Sequence, residues 1–238
     1  MFIIRKLALT VLLIIALFLG SSAVLESFAE SQLSTGLMRT LSLNTRPMVQ
    51  IDAFPIVWRV VQGKIPKIIV SAHDVEIQSL EVAELLIEMR GVHANLDVLI
   101  RSDRFDLTVD KGDGSARLTE AAVNAYLKKQ GEDVRVTFLP DGSVYARADR
   151  VVAGRKRRFE ARGKISIAGR TLSYKPTRVT MDGAAPPPSL APTARRETTF
   201  SVQIPKLPGN ILPTEVIVTA GEVSLVANLE GYVLKLTK

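Results

Sequence analysis

The sequence RPMVQIDAFPIVWRVVQGKIPKIIV, from Arg46 to Val70, contains the pattern that decides the fold. Apolar and polar residues alternate from Met48 to Ala53, as they do in a strand with one buried face. Pro55 suits the first turn of a short helix, and Gly63 suits its end. A second alternating run begins at Ile65. The stretch therefore predicts a strand, a short amphipathic helix and a second strand.

The short helix contains the only tryptophan of a chain in which 5% of the residues are aromatic, so apolar surface is concentrated there. In one interpretation this helix is part of the core and closes the end of a sheet. In the other it lies at a membrane surface or at the mouth of an apolar groove. Phe54, Trp58 and Val61 would then contact lipid, and Arg59 would lie near phosphate groups.

Two later segments follow the first stretch, and the three occur in a characteristic order along the chain. They are DGSARLTEAAVNAYL, from Asp113 to Leu127, and LPGNILPTEVIVTAGEVSLVANLEG, from Leu207 to Gly231. Together with the strand, Phe54-Pro55, short helix, glycine and strand of the first stretch, they resemble the LmeA-like family of phospholipid-binding envelope proteins. The resemblance covers roughly residues 24 to 236.

The expected fold is an α+β domain with a long, twisted antiparallel sheet curved around one or two helices. An apolar groove of the tubular lipid-binding kind is expected inside it. The resemblance implies non-catalytic binding of a phospholipid, with an anionic lipid such as phosphatidylinositol as one candidate. It also implies a role in envelope lipid and glycolipid homeostasis.

The N-terminal segment predicts export. Two basic residues precede nineteen uncharged residues, Leu7–Leu25, a length close to the roughly 20 residues that span a bilayer. The densest part, Leu7–Leu19, suits a cleavable signal peptide, so cleavage and retention as an anchor both stay open. Residues 1–23 are expected to be this signal or anchor, and residues 24–238 a single lipid-binding domain in the cell envelope, outside the cytoplasmic membrane.

Further elements follow from local patterns. The β-branched run Ile65–Ile77 predicts a strand. The family resemblance favours a strand over a helix at Leu80–Glu88. Thr119 is a suitable N-cap for a helix from Glu120 to Gln130. The Pro-rich sequence GAAPPPSLAPT at residues 183–193 predicts a surface loop within the domain.

Basic residues are concentrated between Tyr145 and Arg178, where eleven of them accompany only two acidic residues in a chain of net charge +7. Arg155, Arg157 and Arg158 at a hairpin tip are the candidates for holding lipid phosphates at a membrane surface. A solvated basic face without a ligand is the alternative. Nucleic acid is not expected as a partner, because the chain has an export signal and few aromatic residues for base stacking.

No catalytic residue, cofactor or metal site is predicted. The chain has no cysteine, and the nucleophile, zinc and phosphate-loop motifs are missing from the sequence. His73 and His93 lie in strand-like segments and fit structural roles. The alternative function is a membrane-tethered interaction module that contacts a cell-wall polymer or a membrane enzyme, and an envelope-biosynthesis protein is a possible partner in either case.

Overall fold

The computed structural model describes residues 30, 31, 34, 35, 37, 38, 44–52, 63–77, 79–94, 104–152, 154–204 and 211–237. The export segment predicted at residues 1–23 and the proposed lipid contacts Phe54, Trp58, Arg59 and Val61 lie outside these residues. Within the described ranges, no helix is long and apolar enough to cross a membrane.

Antiparallel strands and two short helices build the described part of the chain. The strands are β1 Met48–Asp52, β2 Lys64–Ile77, β3 Leu80–Ala94, β4 Arg104–Thr119, β5 Arg135–Phe138, β6 Val144–Val152, β7 Arg155–Ala168, β8 Thr171–Met181, β9 Ser201–Gln203, β10 Pro213–Thr219, β11 Glu222–Asn228 and β12 Val233–Thr237. The helices are α1 Glu120–Lys129 and α2 Ala191–Thr198. The strands predicted at Ile65–Ile77 and Leu80–Glu88 and the helix after Thr119 are confirmed.

The first sheet, called here the curled sheet, has the order β1-β2-β3-β4-β11-β10, with β12 also paired to β4. Both β11 and β12 keep one register against β4, since Asn228 pairs with Asp113 and Val233 pairs with Thr108. The intervening turn bonds to β4 through Gly231, whose N–H donates to the Val109 carbonyl at 3.0 Å. The C-terminal segment thus completes the sheet that β1 begins.

Two strands of the curled sheet contain residues with a left-handed backbone. Asp74 has a φ of 50° and Gly91 a φ of 61°, although neither changes the register between the two strands. A positive φ in a strand reverses which side the following residues face. At Gly91 a side chain is also excluded, because an added Cβ would lie 2.4 Å from the Asp110 carboxylate. The curled sheet has an apolar concave side.

The second sheet has the order β5-β6-β7-β8-β9. Its inner face is densely packed, with Phe159 and Tyr174 fully buried and the Tyr174 ring stacked on Phe200 at 5.0 Å between centroids. Helix α2 packs on β6, β7 and β8. Here the sequence interpretation needs a correction. The described strands form two sheets where one long sheet was expected, because β5 to β9 bond among themselves.

Helix α1 connects the two sheets. Thr119 caps it by accepting a hydrogen bond from the Ala122 N–H at 3.2 Å, as the sequence predicted. Val123 and Leu127 are buried where the helix packs on β3, β4 and β5. Asn124 extends β5, since its side chain both accepts from the Val136 N–H at 2.7 Å and donates to the Val136 carbonyl at 2.9 Å. One hydrophobic core therefore contains residues of both sheets.

The Pro-rich loop predicted at residues 183–193 ends at Leu190, where α2 begins. Pro192 stands in the first turn of that helix, where a missing backbone N–H costs no hydrogen bond. The proline that favoured an irregular segment therefore starts a helix.

Candidate functional site

The concave side of the curled sheet contains an apolar groove. It has a cavity volume of about 80 Å³ and is partly open to solvent. Strands β2, β3, β4, β10 and β11 form most of its wall. Leu85, Ile87 and Met89 of β3 alternate with outward-facing residues and point into it. Leu37, Ile204 and Ile211 contribute from outside the sheet.

Small residues create the space in this groove. Gly114 on β4 lies directly opposite Ala227 on β11, and Ala116 two residues further lies opposite Leu225. A Cβ added at Gly114 would meet its nearest atoms, on Ile87 and Ala227, only at 3.9 and 4.0 Å. Protein interiors normally fill such positions with larger side chains. The groove floor therefore leaves room that the protein's own side chains do not use.

The chemistry of the wall suits hydrocarbon. Among the described residues its side chains are apolar except for Ser115, and none of those that line it is ionisable. Each methylene group transferred from water into such surroundings gains about 0.8 kcal/mol. The arrangement favours a ligand with an alkyl chain and provides no charged group inside the groove to select a polar one.

The predicted basic tip lies on the hairpin between β6 and β7. Arg157 and Arg158 already have partners, because Asp182 accepts from Arg157 Nη1 at 2.7 Å and from the backbone N–H of Arg158 at 2.9 Å. These two hydrogen bonds, that from the Arg158 backbone first, lower the pKa of Asp182. Arg155 is exposed and has no ion pair among the described residues. The tip is thus partly neutralised within the protein, and its role with lipid phosphates stays a prediction.

The pattern of the whole chain can now be compared with known proteins. Residues 20–228 match the LmeA-like phospholipid-binding family. The chain belongs to this family. No curated protein and no solved structure is similar enough to give a match. The family resemblance inferred from the order of the sequence motifs is confirmed over most of the chain.

Membership in the LmeA-like family indicates the class of ligand that the protein binds. Proteins of this family bind phospholipids. An aliphatic groove with a floor of small residues is a suitable place for a phospholipid acyl chain. The match also covers all of β1, β2, β3, β4, β10 and β11, which carry most of the groove wall.

The sequence interpretation missed the groove floor. A usable signal was present in DGSARL, because Gly114 and Ala116 occupy alternate positions of a strand that should bury large residues. Small residues at two successive inward positions indicate space that the neighbouring strand residues do not fill. The sequence interpretation placed the apolar lipid contacts at Phe54, Trp58 and Val61, which lie outside the described residues.

The two histidines lie away from the groove. Nε2 of His73 is 3.8 Å from Glu84 Oε1, and Nε2 of His93 is 3.1 Å from Asp110 Oδ2. Neither ring contributes to the groove wall. In the described ranges, no three acidic, histidine or cysteine side chains come together in a way that could hold a metal ion.

Proposed function

We propose that the protein binds one phospholipid with an acyl chain in the groove of the curled sheet, and that it carries or holds this lipid without reacting with it. Two findings support this proposal: membership in a phospholipid-binding family and a groove floor built from Gly114, Ala116 and Ala227. The observation that carries it is the unused space above Gly114.

The dimensions of the groove suggest how the lipid is divided. A cavity of about 80 Å³ admits a segment of one hydrocarbon chain, and the rest of the lipid would lie outside it. The headgroup then stays outside the aliphatic wall, where water or basic side chains can solvate its phosphate. Arg155, Arg157 and Arg158 are the headgroup contacts proposed from the sequence, and an anionic lipid such as phosphatidylinositol fits their charge.

The proposed location is the outer side of the cytoplasmic membrane. Support for it comes from the uncharged N-terminal run Leu7–Leu25 and the two basic residues before it. A lipid carrier at this site would support envelope lipid and glycolipid homeostasis.

The experiment fills the groove without disturbing the fold. In Gly114→Ile the new Cβ has ordinary contacts, and a β-branched residue suits a strand. Its side chain takes the place of two or three lipid methylene groups, so uptake of a monomeric short-chain phosphatidylglycerol should fall at least tenfold, since each methylene contributes about 0.8 kcal/mol. Binding is measured by titration of the full-length protein and by mass spectrometry of lipid extracted from it.

Ser224→Ile is the matched control, because Ser224 lies on the neighbouring strand β11 opposite Arg117, on the other side of the sheet. It should bind lipid like the wild-type protein. Equal uptake by wild type and Gly114→Ile would remove the groove as the site. A wild-type protein that contains no lipid and takes up none would favour a membrane-tethered interaction module.

A further inference from the structure

The outer face of the second sheet carries far more positive than negative charge. Residues that alternate with the buried Phe159 and Ala161 of β7, and their partners on neighbouring strands, form this face. Its basic residues are Arg135, Arg147, Lys156, Arg158, Arg162, Lys164, Lys175 and Arg178. Its acidic residues are Asp149 and Glu160.

Four of these cations form two adjacent like-charged rungs, called here the cation ladder. Arg162 on β7 lies directly opposite Arg178 on β8, and Lys164 lies directly opposite Lys175. Like charges in directly opposite positions of a sheet destabilise it. The protein relieves this at one position only, where Asp141 pairs with Arg162. Lys164, Lys175 and Arg178 are exposed and make no ion pair with any described residue.

The curled sheet shows that such a surplus is not a general property of this protein. On its outer face Arg117 binds Glu84 at 2.9 Å and Glu222 at 2.7 Å. Glu88 there binds both Lys67 at 3.2 Å and Arg90 at 2.6 Å. One outer face is therefore neutralised by its own acids, whereas the other leaves its cations for an external anion.

We propose that the cation ladder, extended by Lys156 and Arg158, is the surface with which the protein docks on an anionic lipid bilayer. A sheet face presents its side chains to a plane, and a bilayer is a plane of phosphates. This proposal rests on the proposed function, since a protein that takes up phospholipid must reach a membrane to collect or deliver it. The docking proposal adds which face of the protein contacts the bilayer.

Two details of the face favour a bilayer over a nucleic acid. Tyr145 is the single aromatic residue at its outward strand positions in the described chain, and its hydroxyl is bonded to Glu160. The face therefore offers few aromatic side chains for base stacking, which supports most binding of single-stranded nucleic acid. Val151 lies opposite Lys156 at the hairpin end and is 73% exposed, so an apolar side chain stands beside a cation, as suits a membrane interface.

The first test removes three cations of the ladder in the full-length protein, as Lys164→Gln, Lys175→Gln and Arg178→Gln. The matched control removes three exposed cations elsewhere, as Lys64→Gln, Lys128→Gln and Arg195→Gln. Vesicles contain phosphatidylcholine and phosphatidylglycerol in equal amounts. The ladder variant should bind them roughly a hundredfold more weakly at low salt, with a shallower salt dependence, because each basic residue near such a surface contributes about fivefold. The control variant should lose much less.

A second measurement reports which face meets the bilayer even when the apolar N-terminal run holds every variant on the vesicles. An amine-reactive reagent is applied to the wild-type protein with and without the same vesicles. Lys156, Lys164 and Lys175 should become at least severalfold less reactive on the vesicles, whereas Lys64 and Lys128 should not change. Equal protection of both sets, or protection of the second set alone, would overturn the proposal.

Lipid uptake separates this proposal from the groove. The ladder variant should still take up monomeric short-chain phosphatidylglycerol, and Gly114→Ile should still bind vesicles. Loss of uptake in Gly114→Ile together with equal protection of both lysine sets on the vesicles would retain the groove and reject the docking face. Stronger binding of the wild-type protein to a soluble polyanion than to vesicles at equal phosphate concentration would also reject it.

Discussion

The two sheets of this protein differ in how their inner faces are packed and how the charges on their outer faces are paired. Both are antiparallel, both bury one face, and both contribute to one core. The second sheet fills its inner face with Phe159, Tyr174 and the helix α2. On its outer face, Lys164, Lys175 and Arg178 make no ion pair with any described residue. The curled sheet pairs Arg117, Lys67 and Arg90 of its outer face with its own acids and leaves space on its inner face. The curled sheet thus leaves space on its inner face, and the second sheet, within the described residues, leaves unpaired cations on its outer face.

This contrast suggests a division of roles. Close packing makes the second sheet a rigid support, so its outer face can hold several cations at fixed spacing. The curled sheet is less closely packed on its inner face, and this leaves an apolar groove. The same contrast predicts that equivalent substitutions will have unequal effects in the two sheets.

The largest expected effect is the loss of a packed aromatic ring. Phe159 is fully buried in the second sheet, so Phe159→Ala should lower the free energy of unfolding by about 3–5 kcal/mol. Leu85 is buried but borders the groove, where its removal enlarges existing space. Leu85→Ala should therefore cost about 2–3 kcal/mol, at the low end for a core leucine. Urea unfolding of lipid-free protein measures both values.

A loss for Leu85→Ala as large as that for Phe159→Ala would show that the groove is packed as tightly as the rest of the core. A change in the slope of the unfolding transition would indicate altered compactness of one state, and the two free energies could then not be compared directly.

Two glycines provide a finer comparison. At Gly163 in the second sheet, an added Cβ would lie 2.2 Å from the Lys175 carbonyl oxygen, at the bulge between β7 and β8. Gly163→Ala should destabilise by about 1–3 kcal/mol, because backbone must move. Gly114→Ala should leave stability unchanged or raise it by about 0.5–1 kcal/mol, since alanine orders a strand better than glycine. Thermal unfolding of both variants is the measurement, and equal losses would contradict the difference in packing.

Much of the fold could be predicted from the sequence, because local patterns carried it. The alternation at Ile65–Ile77 and the cap at Thr119 both mark elements that the structure contains. The family was identified from the order of such segments. These features depend on neighbouring residues, and sequence shows neighbours directly.

The features that escaped prediction are those that depend on distant pairing. Nothing near Arg162 indicates that Arg178 lies opposite it, because strand register is set by the whole sheet. The carboxylate that pairs with Arg157 comes from Asp182, twenty-five residues away. A count of basic residues located the charged region correctly but could not separate paired cations from unpaired ones. The division into two sheets escaped for the same reason.

The smallest expected effect concerns those paired charges. The pKa of Asp182 is lowered in the folded protein, because the Arg158 backbone N–H and then the Arg157 guanidinium bind its ionised form. Its contribution to stability is therefore present above the unfolded pKa, near 3.9, and is lost as the pH falls through the lower folded pKa. Asn suits the left-handed backbone at this position, where φ is 53°, and keeps an oxygen acceptor.

Asp182→Asn should therefore be slightly less stable than the wild-type protein at pH 6, and the difference should shrink as the pH falls below about 4. Unfolding by urea across this pH range gives the comparison, with Glu81→Gln as a control whose carboxylate makes no ion pair among the described residues. A difference that stays constant with pH would mean that the aspartate acts through backbone geometry alone. A difference that shrinks as expected would show that the hairpin uses part of its positive charge to stabilise the second sheet.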